Sequence, residues 1–314
     1  MIRFRTIVIC IIVHFSYTSS WGQSPYVASL AENFPFEQHL NDSLTESPHE
    51  LDTTISYTKL GIVCGGLLGG MTAIHLYQQA GWWKDNRAPF HFQEDLNYSL
   101  GVDKIGHFYA SSAYTYVFSK SLEWANLKED DALWYGAGGS LLFQTFIEFE
   151  DGISTWGFDR VDFAADVAGA FWPVAQRKFP FLNEVALKFS YHPSDLLDRP
   201  GGIGFKGQKH LVVDDYEGQT FWLTTHLKPL LPEPIKSITP EFLCLAVGYG
   251  SRDIVGTVTP PYRVWFVAFD LDMTKILPKD IPFFKTLGEA LNFIHMPMPA
   301  IQISPNAIWY GFYF

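Results

Sequence analysis

Three short stretches decide how this chain is read: DKIGHF at residues 103–108, QTFIEFED at residues 144–151 and DRVDFAADVAGA at residues 159–170. Each sets ionisable side chains into apolar sequence of helical character. A charge in a low dielectric is costly unless it is paired, hydrated or bound to a metal, so such residues mark a candidate site. Asp103 and His107 are one helical turn apart and share a face. Gln144, Glu148 and Asp151 form a second stripe, and Asp159, Asp162 and Asp166 a third.

Outward from these stretches, helices are expected over Lys104–Asn126, Ala132–Glu150 and Asp159–Lys178. The acidic run 128–131 separates the first two, and the segment 152–157 separates the last two, with Ser154 available as a cap. Ahead of them, Leu60–Trp83 carries no charged residue between Lys59 and Lys84. At ~1.5 Å per residue it is long enough to cross a hydrocarbon core of ~30 Å. Gly61, Gly65 and Gly69 recur at every fourth position, a packing face for a helix–helix partner, and Trp82 and Trp83 stand where an interfacial aromatic belt would. The alternative is a glycine-rich helix buried in a soluble core.

The expected fold class is therefore mainly α, a membrane-type bundle of about four helices over residues 59–180, followed by a β-rich region over 181–314. In that region His210–Asp214, Thr220–Thr225, Phe242–Gly248, Tyr262–Asp270, Ala300–Ser304 and Ala307–Phe314 read as strands bounded by turns. Six short strands fall below the eight of the smallest closed barrel, so a small sheet or a set of hairpins on a membrane face is expected.

The N-terminal residues have the layout of a secretory signal peptide over residues 1–22: Arg3 and Arg5, an apolar run from Ile7 to Phe15, and small residues ending at Gly22. Residues 23–58 contain acids but no Lys or Arg, which reads as an exported, loosely ordered linker. Hydrophobic residues make up 47% of the 314 and charged ones 18%, which suits a chain partly in a membrane and partly in water. A net charge of -11 without a basic patch excludes a nucleic-acid partner. Cys10, Cys64 and Cys244 give neither a disulfide framework nor a metal-binding spacing, and Cys10 lies inside the apolar run, poorly placed for lipidation.

Other features carry little chemistry. His75 is a lone imidazole in the first helix, expected to bond a carbonyl. Gly201–Gly204 reads as a turn, and the acidic run 214–219 as a solvated hairpin rather than a calcium loop. Arg160 is placed to neutralise the neighbouring carboxylates if the segment around it is a wet loop.

The residues DKIGHF, followed by Gln144 and Glu148 and then DFAADVAGA from Asp162, resemble the YfiM-like predicted periplasmic lipoproteins, a family of unknown function. They are similar in motif to the VanZ-like membrane proteins, where a DKxxH opening precedes an acidic/Gln helix and a D-x-x-x-N-x-x-G segment. The resemblance covers Asp103–Ala170 and implies an envelope location. Asp166 stands where the VanZ-like pattern usually has Asn, which makes this site more acidic, and without a lipobox the lipoprotein label does not transfer.

Two readings of function follow. The first is an exported, membrane-associated envelope protein whose buried polar network sets helix register, a structural or scaffold role. The second is a metal-assisted hydrolase or transferase acting on a membrane lipid or lipid-linked substrate. In it His107 is the base, Asp103 orients it, and Glu148, Asp162 and Asp166 hold a divalent cation. No nucleophile motif and no complete metal signature decides for the second, so whether the chain is an enzyme stays open at this level.

Overall fold

A computed structural model describes residues 54–84, 86–196, 212–254 and 259–313. The signal peptide, the acidic linker as far as residue 53 and the Gly201–Gly204 turn lie outside the described residues.

The first helix, α1, spans Tyr57–Gln78 and is capped by Ser56, whose hydroxyl accepts from the Lys59 amide. Apolar residues fall on all of its sides, and only Val63 and Gln78 are buried. Among the described residues it alone is long and apolar enough to cross a membrane. Nothing lies within 4 Å of a side chain added at Gly61, Gly65 or Gly69, so no described element occupies the glycine face.

Three helices follow: α2 (Val102–Trp124), α3 (Glu129–Gly152) and α4 (Arg160–Lys178). α2 packs against both of the others. Small residues make this possible. Ser111, Thr115 and Ser119 of α2 are buried at helical spacing; Thr115 donates to the Ala170 carbonyl at 3.0 Å, and Ser140 to the Ser111 carbonyl at 2.7 Å. At Gly136 an added Cβ would lie 2.9 Å from the Thr115 carbonyl oxygen, and at Gly169 it would lie 2.1 Å from that of Phe108. Glycine at these two crossings is required by backbone approach, not by conformation. The α4 cap is Asp159, which accepts from the Val161 amide at 2.7 Å; Ser154 instead donates to the Asp151 carbonyl. A short parallel pair, β1 (Phe92–Gln93) with β2 (Phe158–Asp159), ties the loop ahead of α2 to the start of α4.

The rest of the chain is an antiparallel sheet in sequential order: β3 (Val185–Tyr191), β4 (Gln219–His226), β5 (Leu243–Arg252), β6 (Tyr262–Leu271), β7 (Met298–Ser304) and β8 (Ile308–Tyr313). Short helices α5 (Glu233–Lys236), α6 (Met273–Ile276) and α7 (Pro282–Leu291) lie in the connections. Residues 293–295 bond the outer edge of β3, through the Phe189 amide to the Phe293 carbonyl and the His295 amide to the Phe189 carbonyl. The chain then crosses one face of the sheet to enter β7, and the His295 ring stacks on Trp222 at 3.9 Å.

The expectation of a mainly α, membrane-type bundle of about four helices is overturned. Among the described residues there are seven α-helices and a six-stranded antiparallel sheet, a mixed α/β fold whose β-rich C-terminal part agrees with the expectation. The apolar stretches of α2, α3 and α4 pack against one another, while α1 stays largely outside that packing. Strand β3 was missing from the expected strands, although Leu187, Phe189 and Tyr191 alternate there with Lys188 and Ser190; the two polar residues are the buried ones. The run His210–Asp214 extends into residues outside the described set, and residues 212–214 form a turn.

Candidate functional site

The acids and the histidine of the three helices converge. Asp103, Lys104 and His107 project from the first two turns of α2, Gln144 and Glu148 from α3, and Asp159, Asp162 and Asp166 from the first two turns of α4 and its cap. All of them except the fully buried Asp166 form the floor of a cleft of about 360 Å³, walled by aromatic side chains that include Tyr98, Tyr109, Trp156, Phe189 and Phe221.

His107 sits between two carboxylate groups. Its Nδ1 lies 3.1 Å from Asp166 Oδ1 and 3.6 Å from Glu148 Oε1, and its Nε2 lies 3.8 Å from Asp103 Oδ1 and 4.0 Å from Asp162 Oδ2. The partner in hydrogen-bond range is therefore Asp166, while Asp103, the expected orienting group, stands farther off on the opposite ring nitrogen. Asp166 Oδ1 also accepts from the Ser111 hydroxyl at 2.9 Å and from the Gln144 amide at 2.7 Å. Three donors meet on one carboxylate oxygen, and the other, Oδ2, is buried without a hydrogen-bond partner. Asp162 Oδ1 is in the same condition.

Lys104 is the second hub. Its Nζ lies 3.0 Å from Asp103 Oδ2, 3.0 Å from Asp159 Oδ2 and 2.9 Å from Asp162 Oδ2, with only 10% of the side chain exposed. It takes the neutralising place that Arg160 was expected to hold; Arg160 is exposed and pairs with Glu94 instead. Five carboxylates thus face two groups able to carry positive charge, and the imbalance appears in the protonation equilibria. Burial alone would pull the His107 imidazole down, but the hydrogen bond and charge of Asp166, with Asp103 and Asp162, hold it well above its ordinary value. Burial pushes Glu148 up to about 9, against the pull of His107 and aided by Asp151, Asp162 and Asp166. Asp162 is pushed up to about 7 by burial and by the Asp103 charge, with His107 and Lys104 opposing. Asp103 is also desolvated, yet His107, Lys104 and Tyr216 bring it below its ordinary value.

Tyr216 is the member that sequence reasoning missed. Its hydroxyl donates to Asp103 Oδ1 at 2.6 Å from the acidic run 214–219. That run is not a solvated hairpin: Asp214 and Asp215 are buried, and Asp215 accepts from the Tyr191 hydroxyl and the Ser194 amide, both at 2.9 Å, and from the Ser194 hydroxyl. An alternation of acids with a single tyrosine carries no periodic signal that would have placed it beside Asp103. Asp151 turns away from the cluster centre and accepts from the Trp83 indole at 2.5 Å. His75 packs its ring against Trp83 and Phe146, and its Nδ1 has no hydrogen-bond partner, rather than a carbonyl.

Two sets of donors lie close enough for one ion each to be held: Asp103, His107 and Asp162, and His107, Glu148 and Asp166, the ligand atoms of each set lying within 4.8 Å of one another. Both use the same imidazole. A cation in the first set would have to displace the Nε2 proton while Nδ1 keeps its proton on Asp166, the relation in which a carboxylate fixes the ring of a metal-binding histidine.

Residues 91–176 match a family described as predicted periplasmic lipoprotein (DUF2279). The matched span runs from the residue before β1 into the last turns of α4, so it contains every member of the cluster except Tyr216. The match agrees with the lipoprotein-family resemblance and does not extend to a VanZ-like one. No curated protein and no solved structure matches the chain.

Proposed function

We propose that this chain is an exported cell-envelope protein whose helical cluster binds a divalent cation and uses it for hydrolysis or transfer at a lipid or lipid-linked substrate. The family matched by residues 91–176, described as periplasmic, supports the location. The observation that carries the chemistry is the convergence of His107 with Asp103, Glu148 and Asp162 at the floor of an aromatic cleft and with the fully buried Asp166, one oxygen each of Asp162 and Asp166 being buried and unpartnered. A network built only for stability is expected to satisfy its members, since a buried acceptor without a partner forfeits its hydration. A cation beside His107 Nε2, Asp103 and Asp162 would supply the missing positive charge, with Asp166, Gln144 and Ser111 fixing the ring. Bound there, it would supply Lewis-acid polarisation to a substrate in the cleft. The aromatic walls favour a substrate with an apolar part.

The structural reading also has an observation in its favour. Lys104 joins the start of α2 to the cap and first turn of α4 through two carboxylates, Asp159 and Asp162, which is how a buried ionic group fixes register. Titration of the purified chain with Zn²⁺, Mn²⁺, Mg²⁺ and Ca²⁺, alongside His107→Ala and Asp162→Asn, separates the two. Under the cation reading the wild type binds one of these ions, and both variants keep their circular dichroism spectrum but lose binding. If no ion binds the wild type, or if the folded variants bind it equally well, the cation reading fails.

A further inference from the structure

The outer face of the sheet is apolar. The residues paired across its middle on one face are Leu187, Leu223, Val247, Val267, Ile301 and Trp309, one from each strand. The next row on that face is Val185, Thr225, Leu245 and Phe269. None of these ten side chains is charged, and the face is open: Leu223 is 56% exposed, Phe269 43%, Ile301 42% and Trp309 65%. The opposite face carries Lys188, Ser190, Thr220, Thr224, Asp270 and Gln302, all buried among Trp222, Phe266 and the alanines of β5, β6 and β7. Lys188 Nζ there donates to the Leu271 carbonyl at 2.7 Å and pairs with Asp270 at 3.2 Å. The inner face thus mixes polar side chains with an apolar core, while the outer face is apolar and open; a sheet in water turns its polar residues outward, whereas sheets in lipid turn apolar ones outward.

We infer that this open face lies against the hydrocarbon of a lipid bilayer. Charge complementarity selects that occupant, because two adjacent rows without a charge match acyl chains, whereas a protein partner is met by an apolar centre with a polar rim. α1 agrees independently. Its 22 residues span about 33 Å, close to the ~30 Å hydrocarbon thickness, and Ile62, Leu68 and Leu76 are exposed around it, so the chain carries a second surface that a partner on one side would leave wet. The sheet face also leads into the cleft. The row beyond Leu187 and Leu223 is Phe189 and Phe221, which line the cleft and pack on Tyr109 of α2. An acyl chain lying on the sheet therefore has an uninterrupted apolar path toward the cluster, although the docking surface itself does not depend on whether the cluster binds a cation.

The test uses the unmodified full chain reconstituted in phosphatidylcholine–phosphatidylglycerol vesicles that include a phospholipid with a photoactivatable group at the end of an acyl chain. After irradiation, adducts are mapped by peptide mass spectrometry. Adducts are expected on Leu223, Val247, Ile301 and Trp309 as well as on α1, and none on the exposed connection 228–241. Adducts confined to α1 would overturn the inference. So would a sheet face protected from the probe in a chain that sediments as a dimer, which would make a second copy the occupant.

Discussion

Replacing Lys104 with methionine tests the electrostatic account of the cluster most directly. Methionine keeps most of the volume and removes the one charge that meets Asp103, Asp159 and Asp162 at 2.9 to 3.0 Å. The side chain is only 10% exposed, so water cannot substitute for it, and removing one partner of a buried ionic group costs about 3–5 kcal/mol. At about 2–4 °C per kcal/mol for a domain of this size, the melting temperature should fall on the order of 10 °C at neutral pH. The deficit must also be pH-dependent. Without the Lys104 charge, Asp162, already pushed up to about 7, rises further, and the penalty shrinks as pH falls and Asp162 takes up its proton. Thermal unfolding of wild type and Lys104→Met across a pH series reads both effects. A variant that melts with the wild type at neutral pH, or a deficit that stays constant on acidification, would refute the reasoning.

Two further outcomes follow from the geometry. Gly169→Ala places a Cβ 2.1 Å from the Phe108 carbonyl oxygen, where ordinary contact begins at 3.4 Å, so α2 and α4 must part. Overpacking of this kind costs about 1–3 kcal/mol, and separation of His107 from Asp166 should lower the imidazole pKa read by nitrogen NMR; an unchanged melting curve and imidazole titration would count against the tight crossing. His226 bridges Asp272 at 2.9 Å and Glu184 at 2.7 Å, and the Asp272 hydrogen bond, against desolvation and with help from Glu184, raises its pKa. Its contribution is complete below the ordinary imidazole value of about 6.5 and is lost as pH rises through the elevated folded value. The wild type should therefore lose stability over that interval while His226→Asn does not, and parallel profiles would remove the claim.

The helices and most strands were legible because their signals are local. The spacing of Asp103 with His107 and of Glu148 with Gln144 places each pair on one helix face, and the two-residue alternation marks β4 to β8. What was not legible was which apolar surface meets which. Apolar stretches in α2, α3 and α4 have the same composition whether they face lipid or each other, and only the close approaches at Gly136 and Gly169 distinguish the two. β3 carries the same alternation, Leu187, Phe189 and Tyr191 against Lys188 and Ser190, and was missed; that Lys188 and Ser190 are its buried residues is what polarity along the strand does not tell. Within the site, the partition of His107 between Asp166 and Asp103 depends on helix rotation to within a fraction of a turn, which spacing does not resolve. The Lys104 hub required the α4 cap to be Asp159, where the sequence reading offered only Ser154.

The contact between Tyr216 and Asp103 joins residues 113 positions apart. An exported chain is delivered from its N-terminus, so α2, α3 and α4 can assemble before the segment that carries Tyr216 has crossed the membrane. During that interval Asp103 lacks its phenolic donor and the cleft lacks the wall formed by Phe189 and Phe221. The cluster therefore matures only once the C-terminal half arrives, and a chain interrupted in transit would hold the acids and the histidine without the enclosure that gives them their chemistry.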